Sequence, residues 1–196
     1  MKIFALEYPL SATDSGHTPF RVWPDSCWIL SRRPVFVPGF APRFIGVPAI
    51  AVKISRLGKC VEPRFAPRYY AEWTAAIINL PAMPDSTPRE ALWESGYIPV
   101  FDNTLVIGNW VPLDPHPLPA SLRLTLSGST QRETEIPSLP AAAFDGAIHL
   151  LSAHNTLKMG DMILFPLSEG AFILDEGLHA RITSGDAPEL ISTPYK

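Results

Sequence analysis

The carboxylate pair Glu133 and Glu135 is the first candidate for chemistry, because two acids two residues apart share one face of an extended chain and could chelate a hard cation. Thr130, Gln131, Arg132 and Thr134 around them are polar on both faces, so a solvated strand face is the simpler expectation. Asp175-Glu176-Gly177 reads as a turn, and Asp102-Asn103 as an Asx-turn after an apolar run. The five histidines, His17, His116, His149, His154 and His179, form neither a His-Glu-x-x-His nor a His-x-His arrangement, and each reads as a surface or hydrogen-bonded residue. Cys27 and Cys60 lack metal-ligand spacing, so both are expected as reduced thiols and no zinc site can be built from them. There is no Gly-x-Ser-x-Gly elbow, no phosphate-cradling glycine loop and no Gly-x-Gly-x-x-Gly. Serine hydrolase, nucleotide and dinucleotide chemistry drop out.

The elements that must position any site follow from composition. At 196 residues the chain has the length of one domain, spanning 1–196. Its 46% hydrophobic and 18% charged residues are enough to build a core. The 22 prolines, about twice the usual share, leave room for few long helices. Net charge is −3 and the basic residues are scattered, Arg32-Arg33 being the only adjacent pair, so no nucleic-acid partner is expected. Apolar stretches fall short of the roughly 20 residues that span a bilayer, so no membrane partner is expected. The N-terminal apolar run meets Glu7 after four residues, too soon for a signal-peptide core, and a cytoplasmic location is expected.

Alternating or β-branched runs predict strands at Trp28–Leu30, Val35–Val37, Ala49–Ser55, Leu105–Val111, Leu122–Ser127, Met162–Phe165 and His179–Thr183. Thr87-Pro88-Arg89-Glu90 is a capping box with proline at the first helical position, leading to Gly96 as a stop. A second helix fits Leu139–Ser152, with Phe144, Ile148 and Leu151 on one face, and a third fits between Pro63 and Trp73. Asn155 to Asp161 reads as a turn feeding a strand. The fold class is α+β with β in excess.

Several segments, in order, resemble the fumarylacetoacetate hydrolase family, in particular its short single-domain members. They are Val52-Lys53-Ile54-Ser55-Arg56-Leu57-Gly58-Lys59, Arg64-Phe65-Ala66-Pro67-Arg68-Tyr69-Tyr70, Phe101-Asp102-Asn103 with Ile107-Gly108, and Thr156-Leu157-Lys158-Met159-Gly160-Asp161. Trp23-Pro24-Asp25-Ser26 and Pro34-Val35-Phe36-Val37-Pro38 fit the segment after the family's N-terminus. The resemblance implies a β-rich mixed β-sheet roll with a few short helices, usually dimeric. It also implies Mg²⁺ or Ca²⁺ held by a Glu-x-Glu pair and a downstream Asp, acting on a β-keto or dicarbonyl acid.

Carried over residue by residue, that site is degenerate. The Glu-x-Glu positions fall on Val47 and Ala49, and the downstream Asp on Asn79. The lysine before Phe-Asp-Asn is replaced by Pro99, and that of the Lys-Pro-Asp-Ser stretch by Trp23. The N-terminal Asn-Tyr-x-x-His signature survives only as Glu7-Tyr8-Pro9-Leu10-Ser11, and the late Gly-Thr-Pro loop only as Phe165-Pro166-Leu167-Ser168. A second register takes Tyr70-Ala71-Glu72 as the Glu-x-Glu strand and Asp102 as the downstream acid, which leaves the other matches unexplained.

Two functional readings result. One is a non-catalytic homologue without a metal, expected as a homodimer, whose vestigial pocket around Trp23, Val47, Ala49, Asn79 and Pro99 takes a small organic acid or which joins a family partner in a heteromer. The other is an active metal-dependent hydrolase, decarboxylase or tautomerase rebuilt on Glu72 and Asp102, with His149 or His154 and a Mg²⁺ or Ca²⁺ ion. A dimer without any ligand is the plain alternative.

Overall fold

The structure is a computed structural model that describes residues 1–10, 20–94, 101–185 and 187–196. Its main sheet contains β1 (Lys2–Leu6), β2 (Phe20–Pro24), β3 (Trp28–Leu30), β4 (Arg43–Ile54), β5 (Tyr70–Ala82), β6 (Leu105–Ile107) and β7 (Val111–Pro112). A second sheet carries β8 (Ser121–Ser127) and β9 (Gln131–Pro137), and then comes the helix α1 (Ala141–His154). β10 (Met162–Pro166) and β11 (Phe172–Ile173) return to the main sheet, while β12 (His179–Thr183) and β13 (Ile191–Pro194) complete the second.

The main sheet runs in the order β2-β1-β10-β4-β5-β6-β3, with β11 beside β4 and β7 beside β5. Its outer strands, β2 and β3, are consecutive in the chain and separated only by the 3-10 turn Asp25–Cys27. The chain therefore steps directly from one edge of the sheet to the other, and the sheet curls into a roll. Pairing is mixed: β1 with β10 and β3 with β6 are parallel, the rest antiparallel. The β-rich α+β roll expected from the sequence is the observed architecture.

β4 and β5 form the backbone of the roll, in register from Arg43↔Ala82 to Ile54↔Tyr70 with one irregularity near Ile54. β4 runs through Pro48, which has no N–H to give. β10 pairs β4 up to Ala49 and β11 pairs Gly46 and Ile45, so Pro48 falls where the neighbouring ladder is interrupted. Its carbonyl is not wasted, accepting the Leu167 N–H at 2.7 Å.

Successive residues of a strand face opposite sides, and the main sheet accordingly has two cores. Ile50, Val52, Ile77, Phe144, Ile148 and Leu151 belong to the larger one, where the sheet packs on α1 and the second sheet. Ile3, Ala5, Val47, Ala49, Ala76, Ile78 and Leu164 belong to the smaller one on the side away from α1, which is rich in alanine and capped by Trp23, Cys27 and Leu92.

The expected strands at Trp28–Leu30 and His179–Thr183 match as drawn, and the Phe144, Ile148 and Leu151 face of α1 is buried as its spacing requires. The capping box forms: Glu90 accepts from the Thr87 N–H at 2.7 Å and Thr87 Oγ1 from the Glu90 N–H at 3.2 Å. It opens a short π-helical turn, Glu90–Glu94, and its expected stop, Gly96, lies outside the described residues.

Three expectations are corrected. The helix from Pro63 to Trp73 is a 3-10 helix over Pro63–Tyr69 that passes into β5 at Tyr70, because Pro67 removes a helical donor and Tyr70 onward pairs with β4. The strand Leu105–Val111 is two strands around Gly108, where a Cβ would stand 2.7 Å from the Leu190 carbonyl and 2.9 Å from that of Ala75. Val35–Val37 contributes a single bridge, Val35 to Tyr195. Among the described residues no helix is long and apolar enough to cross a membrane.

Candidate functional site

The hairpin of β4 and β5 holds all three positions at which the family resemblance puts metal ligands. Val47 lies opposite Ile78 and Ala49 opposite Ala76, and all four side chains are fully buried in the smaller core. Trp23 is buried in the same cluster, its indole N–H without an acceptor. Pro99 lies outside the described residues.

Asn79 does not join them. It is paired with Gly46, one position out of phase with Val47 and Ala49, and so faces the other core. There its amide nitrogen donates to the Asn103 carbonyl at 2.7 Å, and its Oδ1 accepts from the Tyr195 hydroxyl at 3.1 Å. Burial drives the Tyr195 phenol well above its ordinary pKa, so it stays a neutral donor. Gly46 is glycine for a steric reason: a Cβ would stand 2.5 Å from the Phe172 ring, which stacks edge-on with Tyr195.

These residues do not fit a divalent cation. Val47 and Ala49 offer no donor atom, and the Asn79 oxygen is on the opposite side of the sheet with its hydrogen bond made. Mg²⁺ demands near-octahedral oxygen ligation and Ca²⁺ six to eight oxygens. Among the described residues no group of three or more His, Cys, Asp or Glu could hold a metal ion.

The second register is not assembled either. Glu72 is ion-paired with Lys53, whose ammonium also lies over the Trp110 ring, at the end of β5 that pairs with Pro112. Asp102 is exposed in the turn before β6, whose Leu105 pairs with Ile78. Six strand residues from Glu72 to Ile78 put about 20 Å between the two acids. His149 Nδ1 contacts the Val61 carbonyl at 2.8 Å and His154 ends α1 in solvent. Glu133 pairs with Arg123 at 3.3 Å and Glu135 accepts from Ser121 at 2.5 Å, as expected of a solvated strand face.

What the fold does assemble is a cleft of about 360 Å³ at the end of β10. Two segments that the resemblance aligns with the family's N-terminal signature and late loop line it: Glu7-Tyr8 on one side and Pro166 to Glu169 on the other. Pro166 is the strand partner of Ala49, so the cleft opens beside the sealed positions. Arg89 and Trp93 close a third side, and Ile136 to Leu139 a fourth.

The cleft's charge is organised around Arg89. Its Nε and one terminal nitrogen bond the two oxygens of Glu7 at 2.6 and 3.2 Å, and the other terminal nitrogen bonds Glu94. The carboxylates, Glu7 first, raise the guanidinium further above its ordinary pKa. Glu7 and Arg89 are 82 residues apart, and no sequence pattern connects them; the capping box beside Arg89 is the one local signal.

No family model and no curated protein matches the sequence. Solved structures match in fold. Fumarylpyruvate hydrolase from Pseudomonas aeruginosa, in complex with Mn²⁺ and pyruvate, is 14% identical with a TM-score of 0.74, over 100% of this chain and 89% of that one. The 5-carboxymethyl-2-hydroxymuconate delta-isomerase from Mycobacterium smegmatis is 18% identical with a TM-score of 0.73, over 99% and 78%. A fumarylacetoacetate hydrolase family protein from Yersinia pestis CO92 is 18% identical with a TM-score of 0.73, over 100% and 92%. The fold of the chain is that of the fumarylacetoacetate hydrolase family.

Proposed function

We propose that this chain is a non-catalytic homologue on the fumarylacetoacetate hydrolase fold, a homodimer that binds a small organic acid without turning it over. The observation that supports this reading is the hairpin: two ligand positions are occupied by fully buried Val47 and Ala49, and the third, Asn79, faces the other core. A Lewis acid is worth several kcal/mol of transition-state stabilisation, and 1.4 kcal/mol is already tenfold in rate. The neighbour crystallised with Mn²⁺ and pyruvate suggests the ligand class.

Arg89 supplies the complementary charge. A carboxylate takes the guanidinium fork bidentately, with Glu7 as the internal competitor for the same nitrogens. Tyr8 and Trp93 flank the site with aromatic surface, and the Ser138 hydroxyl beside it is without a partner.

Calorimetric titration with pyruvate, oxaloacetate and an acylpyruvate tests the reading, with product assayed in parallel. Binding without turnover is expected, lost in Arg89→Ala and strengthened in Glu7→Gln. Hydrolysis or decarboxylation above background overturns it. Light scattering is expected to show a dimer, with an interface above roughly 1,000 Å².

A further inference from the structure

One end of the molecule carries a feature unrelated to the cleft. The turn at 55–60, the 3-10 helix Pro63–Tyr69 and the turn at 155–161 come together there. Gly58 and Leu157 exchange backbone hydrogen bonds at 3.0 and 2.8 Å, the Ser55 N–H donates to the Tyr69 carbonyl at 2.8 Å, and the Tyr69 ring packs on Gly58. At the apex stand the two most exposed large apolar side chains among the described residues, Leu57 at 70% and Met159 at 75%.

The same segments are rich in cations. Arg56, Lys59, Arg64, Arg68 and Lys158 are all exposed on these segments, five of the 16 Lys and Arg side chains of a chain whose net charge is −3. Arg64 and Arg68 flank the Phe65 ring at 4.7 and 5.1 Å. The acids of these segments are accounted for: Glu62 pairs with Arg64 at 2.8 Å, and Asp161 is buried, accepting from the Lys2 and Lys158 N–H groups. Along the chain these cations looked scattered; the fold gathers them.

The backbone of the apex is internally bonded. Besides the Gly58–Leu157 pair, the Gly160 N–H donates to the Ile54 carbonyl and the Asp161 N–H to that of Lys158. Side chains can therefore leave water without stranding these main-chain polar groups. Leu57 and Met159 line none of the four clefts seen among the described residues. Two exposed apolar side chains on segments rich in cations match a layer of anionic lipid headgroups in both polarity and charge.

We propose that this apex docks on an anionic phospholipid surface, with Leu57 and Met159 entering the headgroup layer and the surrounding cations facing lipid phosphates and carboxylates. Each basic side chain at such a surface contributes about a fivefold gain in partition, and the attraction fades as salt shortens the screening length. Insertion of two side chains without a lipid anchor makes the contact reversible.

Cys60 provides the test, because it is the exposed cysteine next to the apex while Cys27 is buried. The protein is labelled at Cys60 with a polarity-sensitive fluorophore and mixed with vesicles of phosphatidylcholine alone or with phosphatidylserine; the unlabelled protein is co-sedimented with the same vesicles. Expected are a blue shift and sedimentation with the anionic vesicles alone, both reversed by high salt. Arg56→Gln and Arg68→Gln should each weaken binding about fivefold. Leu57→Ser with Met159→Ser should abolish the blue shift while the melting temperature is kept. No binding, equal binding to the neutral vesicles, or binding unchanged in these variants overturns the proposal. So does a change of mass in light scattering of the Leu57→Ser, Met159→Ser variant, which would make the apex a contact between copies of the chain.

Discussion

The two faces of the β4–β5 hairpin solve the same problem differently. On one, Val47, Ala49, Ala76 and Ile78 fill the core with carbon, and none of these four side chains needs a partner. On the other, Gly46 leaves room for the Phe172 ring, and Asn79 connects the Asn103 carbonyl to the Tyr195 hydroxyl. The first face depends on volume and dryness. The second depends on satisfied hydrogen bonds, where losing one partner strands the other. Neighbouring residues of one strand thus have unrelated tolerances, and a polar residue is harmless or ruinous according to its phase.

The largest effect should come from forcing carboxylates onto the dry face. Val47→Glu with Ala49→Glu buries two unpaired charges at an effective cost of several kcal/mol each, and soluble protein should be lost. Ala49→Ser, which adds one hydroxyl, should still fold and show a reduced denaturant midpoint. A double-glutamate variant that folds and is stabilised by Mg²⁺ would break the comparison outright.

The other face should respond by smaller steps. Asn79→Ala strands the Tyr195 hydroxyl and the Asn103 carbonyl and should cost about 1–3 kcal/mol in urea unfolding. Gly46→Ala drives a methyl into the Phe172 ring and should cost a similar amount, about 1–3 kcal/mol, by overpacking. If Asn79→Ala left stability unchanged, the hydrogen-bonded character of this face would be refuted.

A chemical probe sharpens the contrast without changing either face. Cys27 belongs to the dry core, and burial pushes its thiol up to about 11, so near neutral pH it should not react with a disulfide reagent. One equivalent of thiol, Cys60, is expected in the folded protein and two after denaturation. The smallest expected effect is none: millimolar Mg²⁺, Mn²⁺ or Ca²⁺, and equally EDTA, should leave the melting temperature within about 1 °C. A saturable rise abolished by chelation would return a cation to the hairpin.

Much of the architecture was legible because it is local. The Thr87–Glu90 capping box and the Phe144, Ile148, Leu151 stripe are fixed by spacing alone, and both formed. Pro48 hid the first half of β4, because tolerance of a proline depends on where another strand stops, 118 residues later. Asn79 was aligned with the family's acid by counting along the chain, whereas its facing is set by the ladder with Gly46, which turns it to the other core. The grouping of Glu7 with Arg89, and of Lys158 with Arg56, depends on the closure of the roll, which no window of sequence contains.

That closure also sets an order of assembly. β10 is the strand that joins β1 to β4, and it leaves the ribosome more than 100 residues after β4 is complete. At about 5–20 residues per second, β4 waits roughly 5–20 s and β1 roughly 8–30 s with a bare hydrogen-bonding edge flanked by apolar side chains. Nascent chains stalled before Met162 are therefore expected to be clients of chaperones, because the roll's keystone follows every other strand of the β2-β1-β10-β4-β5-β6-β3 path.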